Sequence, residues 1–529
     1  MVEESPVLLP PAEESIEAEP DTALEPEPDS GEPTPESSSE PGFVCACKES
    51  MRSACEGLPF YKEHESQRYC VLHYPAKEKS ADFKAELDNK LNKKDFDFRG
   101  VWFPDDVDFS SFEFSAAADF SSAKFSAAAD FSSATFSADA NFFFARFAAA
   151  AYFKDASFGA AAYFFRARFG AAAYFNRATF GAFAAFNNAT FSATADFNSA
   201  WFTTGAYFFY ATFSAAADFG FARFSEIAGF SDTMFSEAAD FSSARFSADA
   251  DFKDVTFSAA AYFFSVKFSD TYFNLSVFHA RTDFSRASFN GSVHFVGSAT
   301  ERLLKDGTSL AAMALGEDPS LDFQYVSIEH PERIAFYTLN LRPHWFVNVD
   351  SRQFVFTDVD WKWERISIKQ EIAALVERVS SPNDLLAIAC RQLAENAEAN
   401  NRYGEASRFR YWAMDLARPK KWSGWSFWKT DWLHVLYWAV SGYGERIRRA
   451  LGVLAAVWIV FALLYTWIGF TEQIRFPRAL TYSLGVISLQ KPEPRPLTTL
   501  AHTLVTLETI LGPLQAALLA LAIRRKFMR

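Results

Sequence analysis

Residues 114–147 read FSAAADFSSAKFSAAADFSSATFSADANFFFARF, and this stretch decides the fold. Phe recurs at alternating intervals of six and five residues, so the full period is eleven, and the pattern runs from Phe98 to Phe295. A small residue, usually Ala, stands two positions before nearly every Phe. Sixty of the 529 residues are Phe, which a repeat requires and an ordinary globular core does not. We therefore interpret the middle of the chain as a repeat structure.

A helical coiled coil is one alternative, because an eleven-residue period also occurs in right-handed coiled coils. On a helix, however, two Phe five positions apart lie about 140° apart, which produces two separate stripes instead of one seam. The Ser, Asp and Gly residues at fixed places weaken a helix further. A β-solenoid satisfies the pattern, because a chain that turns every five or six residues points each Phe and the Ala before it into a narrow core.

The unit Ala118-Asp119-Phe120-Ser121-Ser122 resembles the A-(D/N)-L-x-x unit of the pentapeptide-repeat family, with Phe in place of Leu. The resemblance covers residues 98–297 and implies a right-handed quadrilateral β-helix. The six-residue intervals depart from the family pattern, and we expect them to lengthen two of the four corners. Two periods then make one coil, which predicts about nine coils and a rod about 40 Å long.

Acidic residues recur with the repeat on the predicted outer surface, and we interpret them as solvated positions: Asp119, Asp130, Asp218, Asp240 and Asp251. Some pentapeptide-repeat proteins mimic DNA, but residues 98–295 hold nineteen acidic and thirteen basic residues. That excess is modest for an imitation of a phosphate helix. We expect no nucleic acid among the partners of this chain.

The net charge of −14 belongs almost wholly to residues 1–42, which contain thirteen Asp and Glu and no Lys or Arg. This Pro-, Glu- and Ser-rich leader has too few apolar residues to form a core, and we predict that it is disordered. It lacks the basic and apolar regions of a signal peptide. The N-terminus is therefore expected to stay in the cytoplasm.

A cluster of metal-binding residue types lies within residues 43–80 and consists of Cys45, Cys47, Cys55, Cys70 and His73. In a reducing cytoplasm such a cluster favours a metal over disulfides, and Zn²⁺ takes four Cys or His ligands in a tetrahedron. We predict a structural zinc site formed by Cys47, Cys55, Cys70 and His73, with Cys45 as a substitute ligand. Reduced thiols without a metal are the alternative.

The segments on either side of the solenoid have different patterns. Residues 81–97 are interpreted as a linker, and residues 298–425, where the Phe repeat is lost, as a mixed α/β cap over the last coil. A helix that begins at Asn383 or Asp384 and a second helix after the turn at residues 401–404 form a hairpin similar to a tetratricopeptide unit. A single hairpin of this kind is expected to serve as a packing connector.

The C-terminal part predicts a membrane domain. An aromatic segment, residues 426–450, is typical of a helix at the membrane boundary, and the apolar runs Leu451–Phe470 and Thr503–Ile523 are long enough to span a bilayer. Basic residues precede the first run and follow the second, so both termini are expected to be cytoplasmic. The location that follows is the inner membrane of a bacterium, with lipid as a partner and the solenoid inside the cell.

The connection between the two apolar runs predicts a short helix, residues 478–489, followed by the extended segment KPEPRP, residues 491–496. Such backbone is tolerated at membrane depth only when it is buried in protein or lines water. Residues 451–529 resemble the two-transmembrane, potassium-channel-like pore domain, which implies a re-entrant pore helix, a gating hinge at Gly512 and Pro513, and an assembly of four copies. The pore-lining residues that we predict are Ser488, Leu489, Gln490, Lys491, Glu493 and Glu508.

The sequence departs from the channels in one respect, because their T-x-G-Y-G selectivity filter is absent. A Gly-Tyr-Gly at residues 442–444 precedes the first apolar run, and we interpret it as a turn. For Glu508, a solvated position near the outer boundary is the alternative to a place inside the bundle.

The sequence contains no phosphate-binding glycine loop, nucleophile elbow or paired helical histidines, so we expect no enzymatic activity. The leading hypothesis is an oligomeric, ion-channel-like membrane protein whose solenoid is a docking or gating module. The alternative is a membrane-tethered scaffold that conducts no ions and binds a partner protein through its solenoid.

Overall fold

The computed structural model describes residues 43–304, 307–361, 368–417, 431–468, 470, 472 and 474–527. The acidic leader, residues 1–42, lies outside the described residues. The chain forms a small N-terminal module, a β-solenoid, three helices at the end of the solenoid and a group of four C-terminal helices.

The N-terminal module contains a two-stranded antiparallel pair, Lys62–His64 with Gln67–Tyr69, two 3₁₀ turns at Glu49–Cys55 and Lys77–Lys79, and helix α1, Ser80–Asn92. The prediction of a linker at residues 81–97 is wrong, because most of that segment is α1. Its buried residues Phe83 and Leu87 lie one turn apart on one face, and the Phe83 ring is 5.4 Å from Phe103 of the solenoid. The helix therefore packs on the first coil.

The solenoid contains four parallel sheets, and successive strands of one sheet are one coil apart in the sequence. Sheet 1 contains Trp102–Phe103, Lys124–Phe125, Arg146–Phe147, Arg168–Phe169, Thr190–Phe191, Thr212–Phe213, Met234–Phe235, Thr256–Phe257 and Val277–Phe278. Sheet 2 contains Val107–Asp108, Ala129–Asp130, Ala151–Tyr152, Ala173–Tyr174, Ala195–Asp196, Ala217–Asp218, Ala239–Asp240, Ala261–Tyr262, Arg281–Asp283 and Ser320–Asp322.

The other two sheets complete each coil. Sheet 3 contains Glu113–Phe114, Thr135–Phe136, Ser157–Phe158, Thr179–Phe180, Trp201–Phe202, Arg223–Phe224, Arg245–Phe246, Lys267–Phe268, Ser288–Phe289 and Ser327–Ile328. Sheet 4 contains Ala118–Asp119, Ala140–Asn141, Ala162–Tyr163, Ala184–Ala185, Ala206–Tyr207, Ala228–Gly229, Ala250–Asp251, Thr271–Asn274, Val293–Val296, Ile334–Tyr337 and Val355–Thr357.

The core of the solenoid is built from stacked Phe rings, as the repeat predicts. Phe175 is fully buried and lies between Phe153 and Phe197 of the neighbouring coils, with ring centroids 4.7 and 4.8 Å away and nearly parallel planes. Phe164 and Phe186 approach the same ring edge-on at 5.3 and 5.4 Å. Offset stacking and edge-to-face contact are the arrangements that aromatic pairs prefer. The Ala residues two positions before each Phe are buried beside them, because only a small side chain fits there.

The corners explain the alternation of five and six residues. Where the interval is five, the corner is a tight turn in which Ala123 N–H donates to Phe120 C=O at 3.0 Å and Ser122 has a φ of +56°. A residue with positive φ recurs every eleven positions through most of the solenoid, so each coil has two such corners. The extra residue of the six-residue interval lies in the other two corners, as we expected.

The recurrent acidic residues are not simply solvated, which corrects the interpretation made from the sequence. Asp119 is half-buried, and its carboxylate accepts a hydrogen bond of 2.9 Å from the backbone N–H of Ser121, just past the inward Phe. The same contact recurs at Asp130, Asn141, Asp196, Asp218, Asp240, Asp251 and Asp283. A short carboxylate or amide side chain is suited to this local capping of a turn.

The solenoid is longer than predicted. Sheet 4 has eleven strands, and Asp97 adds a bridge to Asp119 before the first of them, so the solenoid has about twelve turns instead of nine. At about 4.8 Å per turn, twelve turns give a length of about 58 Å. The cap predicted from residue 298 therefore begins too early. The final coils were missed because an insertion at residues 297–319, with a small antiparallel pair at Arg302–Leu303 and Ser309–Leu310, interrupts the Phe spacing.

Three helices close the end of the solenoid: α2, Ile368–Val376; α3, Pro382–Ala399; and α4, Tyr403–Ala417. The 3₁₀ turns Pro331–Arg333 and Pro343–Phe346 lie in the last coils. The buried Glu371 of α2 accepts hydrogen bonds from Arg342 and from both the backbone and the ring of His344. The predicted hairpin is confirmed as α3 and α4. These helices pack on the last coil and protect its open edge.

Asn396 of α3 makes a second set of polar contacts with the last coil. Its buried side-chain amide donates to the backbone carbonyls of Ser351, Arg352 and Phe354 at 3.2, 3.0 and 2.7 Å. Replacing Asn396 by Ala removes this donor from all three carbonyls, of which, among the described residues, only that of Ser351 keeps another, the Phe354 N–H at 3.3 Å, so we expect the local opening free energy to fall by about 2 kcal/mol. Amide hydrogen exchange of residues 351–357 should become about thirtyfold faster, whereas exposed Glu395→Ala on the same helix should change it less than threefold.

The C-terminal helices are α5, Asp431–Ser441; α6, Ile447–Tyr465; α7, Phe476–Ile487; and α8, Thr499–Phe527. The predicted aromatic helix is confirmed in part by α5, while residues 418–430 lie outside the described residues. The predicted turn at Gly442–Gly444 is confirmed, because all three residues have positive φ and connect α5 to α6.

Candidate metal centre and membrane hairpin

The N-terminal module brings three thiols and one imidazole together in its interior. The Sγ atoms of Cys45, Cys55 and Cys70 and a ring nitrogen of His73 all lie within 4.8 Å of one another, and all four residues are buried. Cys45 Sγ is 3.7 Å from Cys70 Sγ and 3.8 Å from His73 Nδ1, and Cys70 Sγ is 3.2 Å from His73 Nδ1. Ligands about 2.3 Å from a tetrahedral ion are about 3.8 Å apart, so this group could hold a metal ion.

The ligand set differs from the predicted one by a single cysteine. Cys55, Cys70 and His73 are present as expected, but the fourth residue is Cys45, which we had named as a substitute, and not Cys47. The backbone pairs Ala46 N–H with Arg68 C=O at 2.8 Å, which brings Cys45 next to Cys70. Cys47 is less buried, and its Sγ lies 3.8 Å from Cys55 Sγ at the edge of the group. The spacing of the cysteines in the sequence does not predict the backbone pairing of Ala46 with Arg68.

The surroundings of the centre suit metal binding. His73 Nε2 lies 2.9 Å from the backbone carbonyl of Arg99, which can only accept, so Nε2 carries the hydrogen and Nδ1 is free to bind a metal. Hydrogen bonds from Cys55 and Cys70 lower the pKa of the Cys45 thiol, which favours a thiolate. The buried Lys79 amine donates to the Leu72 carbonyl at 2.7 Å, and burial lowers its pKa to about 7.

Among the described residues, two helices are long and apolar enough to cross a membrane. They are α6, with 19 residues, and the part of α8 from Thr499 to Arg524, with 26 residues. At 1.5 Å per residue these lengths are about 28 and 39 Å, against about 30 Å for the hydrocarbon core of a bilayer. Their outward apolar surface is mostly exposed in the single chain, which suits lipid or another protein as the surrounding medium.

The short helix α7 packs between these two helices. The Trp458 indole of α6 donates to the Leu480 carbonyl of α7 at 2.9 Å, and Ser483 Oγ lies 3.1 Å from the Trp458 carbonyl. A Cβ atom on Gly512 would lie only 2.7 Å from the Ile487 side chain, so glycine permits the close approach of α7 to α8. Gly512 is the fourteenth of the 29 residues of α8. The end of α7 therefore lies beside the middle of α8.

The chain then returns without forming a helix. From Ser488 to Thr498 its only regular pairing among the described residues is one bridge, between Pro496 and Phe470 beyond the end of α6. Pro492 packs against Gly485, so the returning segment follows α7. The short helix and the extended proline-rich segment are therefore present, and α7 begins and ends two residues earlier than predicted.

The predicted pore-lining residues separate into two groups. Five of them are exposed in the single chain, namely Ser488, Leu489, Gln490, Lys491 and Glu493. Glu508, in contrast, is fully buried between α6, α7 and α8, where it accepts hydrogen bonds from Ser483 and, at 2.5 Å, from Tyr465. It lies inside the bundle and is not solvated, and within one chain it faces no open surface. Pro513 lies inside the continuous helix α8, next to the contact between Gly512 and Ile487.

Gln515 connects α8 to α5 and to the first turn of α6, a role that was not predicted from the sequence. Its buried amide donates to the Val440 carbonyl of α5 at 2.9 Å and to the Ala450 carbonyl of α6 at 2.8 Å. An amide side chain within the second apolar run was a signal for such a role, because a buried amide needs partners.

The helices at the end of the solenoid contact this hairpin directly. Glu445, just before α6, accepts a hydrogen bond from Ser407 of α4 at 2.5 Å and lies 3.5 Å from Arg410. Arg410 also binds Glu398 of α3 at 2.5 Å. The Arg446 guanidinium stacks on the Tyr411 ring at 4.1 Å. A connected set of charged and aromatic contacts thus links α3 and α4 to the start of α6.

Comparison with protein-family models, with curated proteins and with solved structures gives no match for this chain.

Proposed function

We propose that this chain is one subunit of an oligomeric membrane pore in which α7 and the segment after it line an ion pathway. The observation that carries the proposal is the position of Ile487 beside Gly512, halfway along a helix long enough to span a bilayer. A short helix that ends at mid-depth, followed by extended backbone that returns to its starting side, is the layout of a re-entrant pore helix.

The exposure of the returning segment supports an assembly of several copies. One hairpin cannot enclose a channel, and by its resemblance to two-transmembrane channels four copies would be needed. The residues from Ser488 to Glu493 are mostly exposed in the single chain, as expected for groups that meet around a shared axis. Lys491 and Glu493 would each form a ring of side chains, and such rings select ions by charge.

The solenoid is proposed as a docking or gating module of the pentapeptide-repeat type, a right-handed quadrilateral β-helix. Its four parallel sheets and its alternating tight and longer corners support that type. The contacts of Glu445 with Ser407 and Arg410 supply a physical route from the end of the solenoid to α6. We propose zinc as the metal of the Cys45, Cys55, Cys70 and His73 group, where it would be structural.

The orientation that follows from the flanking basic residues is testable by labelling. We expect the bacterial inner membrane to contain the hairpin, with residues 473–493 accessible from the periplasm and the solenoid in the cytoplasm. A single cysteine introduced at Gln490 should react with a membrane-impermeant maleimide added to intact cells, whereas one at Ser137 on the solenoid should not. Labelling at Ser137 alone from outside would reverse the orientation.

Selectivity provides the direct test of the pore. In reconstituted bilayers we expect currents that discriminate weakly among cations of different size, because the sequence has no carbonyl filter. Exposed Glu493→Gln should shift the permeability ratio toward anions by severalfold. Glu508→Gln is the matched control: it removes the same charge from a buried position, so its effect on the ratio should be less than twofold. A larger effect at Glu508 would contradict the assignment of the lining segment.

The oligomeric state separates the pore from the scaffold. Light scattering of detergent-solubilised protein should give a closed oligomer, and a monomer would exclude the pore. An intact oligomer that conducts no current, with and without membrane tension, would favour the tethered scaffold that binds a partner protein through its solenoid.

A further inference from the structure

Sheet 1 of the solenoid carries a row of three cations on its outer face. Lys124, Arg146 and Arg168 precede the inward Phe of three consecutive coils, and their strands pair directly in register. All three side chains are exposed. Some cations elsewhere on the solenoid have acidic partners, as Arg177 has Asp155 at 2.6 Å. Within the part of the chain that the structure describes, none of the three cations in this row has an ion-pair partner.

The row concentrates positive charge. Neighbouring members are about 4.8 Å apart, the spacing of paired strands, and like charges directly opposite one another are unfavourable. Desolvation by nearby protein atoms, together with the charges of Arg146 and Lys48, lowers the pKa of the exposed Lys124, so Lys48 of the N-terminal module belongs to the same group of charges. This surface, which we call the basic row, consists of Lys48, Lys124, Arg146 and Arg168. An anionic partner would relieve its repulsion.

The basic row begins where the acidic leader ends. The strand before Lys124 in sheet 1 starts at Trp102, whose backbone N–H donates to Leu72 of the N-terminal module at 3.1 Å. The described chain begins at Phe43, five residues before Lys48. The preceding 42 residues carry thirteen carboxylates and no basic side chain. Fully extended they reach about 140 Å, far more than the row requires, and tethering gives them an effective concentration of the order of millimolar.

We propose that residues 1–42 of the same chain bind across the basic row. The leader is the partner that we infer because its negative charge is complementary to the basic row. It is also joined to the N-terminal module directly, through residue 43. The interaction is electrostatic and lies at the surface, so it weakens as salt is raised. It does not depend on whether the C-terminal helices form a pore.

A carbodiimide crosslinker, which joins a carboxylate directly to an amine, tests the proposal on the full-length protein. The solenoid supplies a matched control: sheet 3 carries a second row, Arg223, Arg245 and Lys267, farther from the N-terminus. We expect peptides of residues 1–42 to be joined to Lys48 and Lys124 at least fivefold more often than to Lys267, and this preference to disappear in 1 M NaCl. Equal or greater crosslinking to Lys267 would overturn the proposal.

Isotope mixing identifies which molecule supplies the leader. A sample prepared from light and ¹⁵N-labelled protein should give crosslinks within light chains and within heavy chains. Mixed crosslinks as the dominant product would replace the intramolecular proposal with binding between copies.

Two triple variants test the row by another measurement. At low salt, a Glu-specific protease should cleave the leader several times more slowly in the wild type than in Lys124→Gln/Arg146→Gln/Arg168→Gln. The variant Arg223→Gln/Arg245→Gln/Lys267→Gln should cleave like the wild type. If neither variant differs from the wild type, or if only the second does, the leader does not bind the basic row.

Discussion

Replacing Phe175 by Ala is expected to lower the free energy of unfolding of the solenoid by about 3–5 kcal/mol. The ring is fully buried between Phe153 and Phe197 and is flanked edge-on by Phe164 and Phe186. The backbone at this position is held by ladder hydrogen bonds, including one of 2.6 Å from the Phe175 N–H to the Asp196 carbonyl. The neighbouring coils therefore cannot move into the cavity, and the full cost of the lost contacts remains.

Denaturant unfolding followed by far-ultraviolet circular dichroism measures this loss. The matched control is Asn176→Ala, one residue further along, where the side chain is partly exposed and points away from the core. We expect that variant to lose less than about 1 kcal/mol. Similar losses at both positions would mean that the inward face has been assigned incorrectly.

Removing the metal is expected to have the second large effect. Purified protein should contain about one equivalent of zinc, and chelation should unfold the N-terminal module, because structural zinc supplies folding free energy directly. Cys70→Ser removes the thiol that lies 3.7 Å from Cys45 and 3.2 Å from His73, so zinc content should fall at least tenfold. Cys47→Ser should keep most of the metal, because Cys47 lies at the edge of the group.

Elemental analysis and circular dichroism of the same samples distinguish the outcomes. If protein that was never exposed to a chelator contains less than a tenth of an equivalent of zinc, the cluster consists of reduced thiols without a metal. Equal zinc loss in Cys47→Ser and Cys70→Ser would show that Cys47 is a ligand in place of Cys45.

The parts of the fold that were predictable are those in which one physical requirement repeats. Burial of Phe175 and its counterparts imposes the eleven-residue period, so the sequence predicts the solenoid and its inward face. The last coils were not predictable, because Phe336 and Phe356 are buried in the same way without standing at the repeat spacing. Helix α1 was missed for a similar reason. Its apolar residues Phe83 and Leu87 form a buried face only because the helix packs on the first coil, where Phe83 contacts Phe103.

The candidate sites were predictable in residue type more than in geometry. The clustering of four cysteines with His73 indicates a metal, but the choice of Cys45 depends on the backbone pairing of Ala46 with Arg68. Glu508 was recognised as unusual, yet its burial depends on Ser483 and Tyr465, which a single sequence does not connect with it. The separation of Glu508 from the exposed Glu493 is therefore information that only the three-dimensional arrangement supplies.

The two ends of the solenoid are closed by unrelated structures, α1 at the start and the helix that carries Asn396 at the finish, and each contacts the coil next to it. An internal coil packs against its two neighbours, so its contacts do not depend on the total number of coils. Loss or gain of a whole coil through unequal recombination would therefore preserve both closures and every Phe column. Such events would change the distance between the Cys45, Cys55, Cys70 and His73 group and the C-terminal helices in steps of about 4.8 Å. Mutation can thus change the length of the solenoid by whole coils while the packing of its core stays the same.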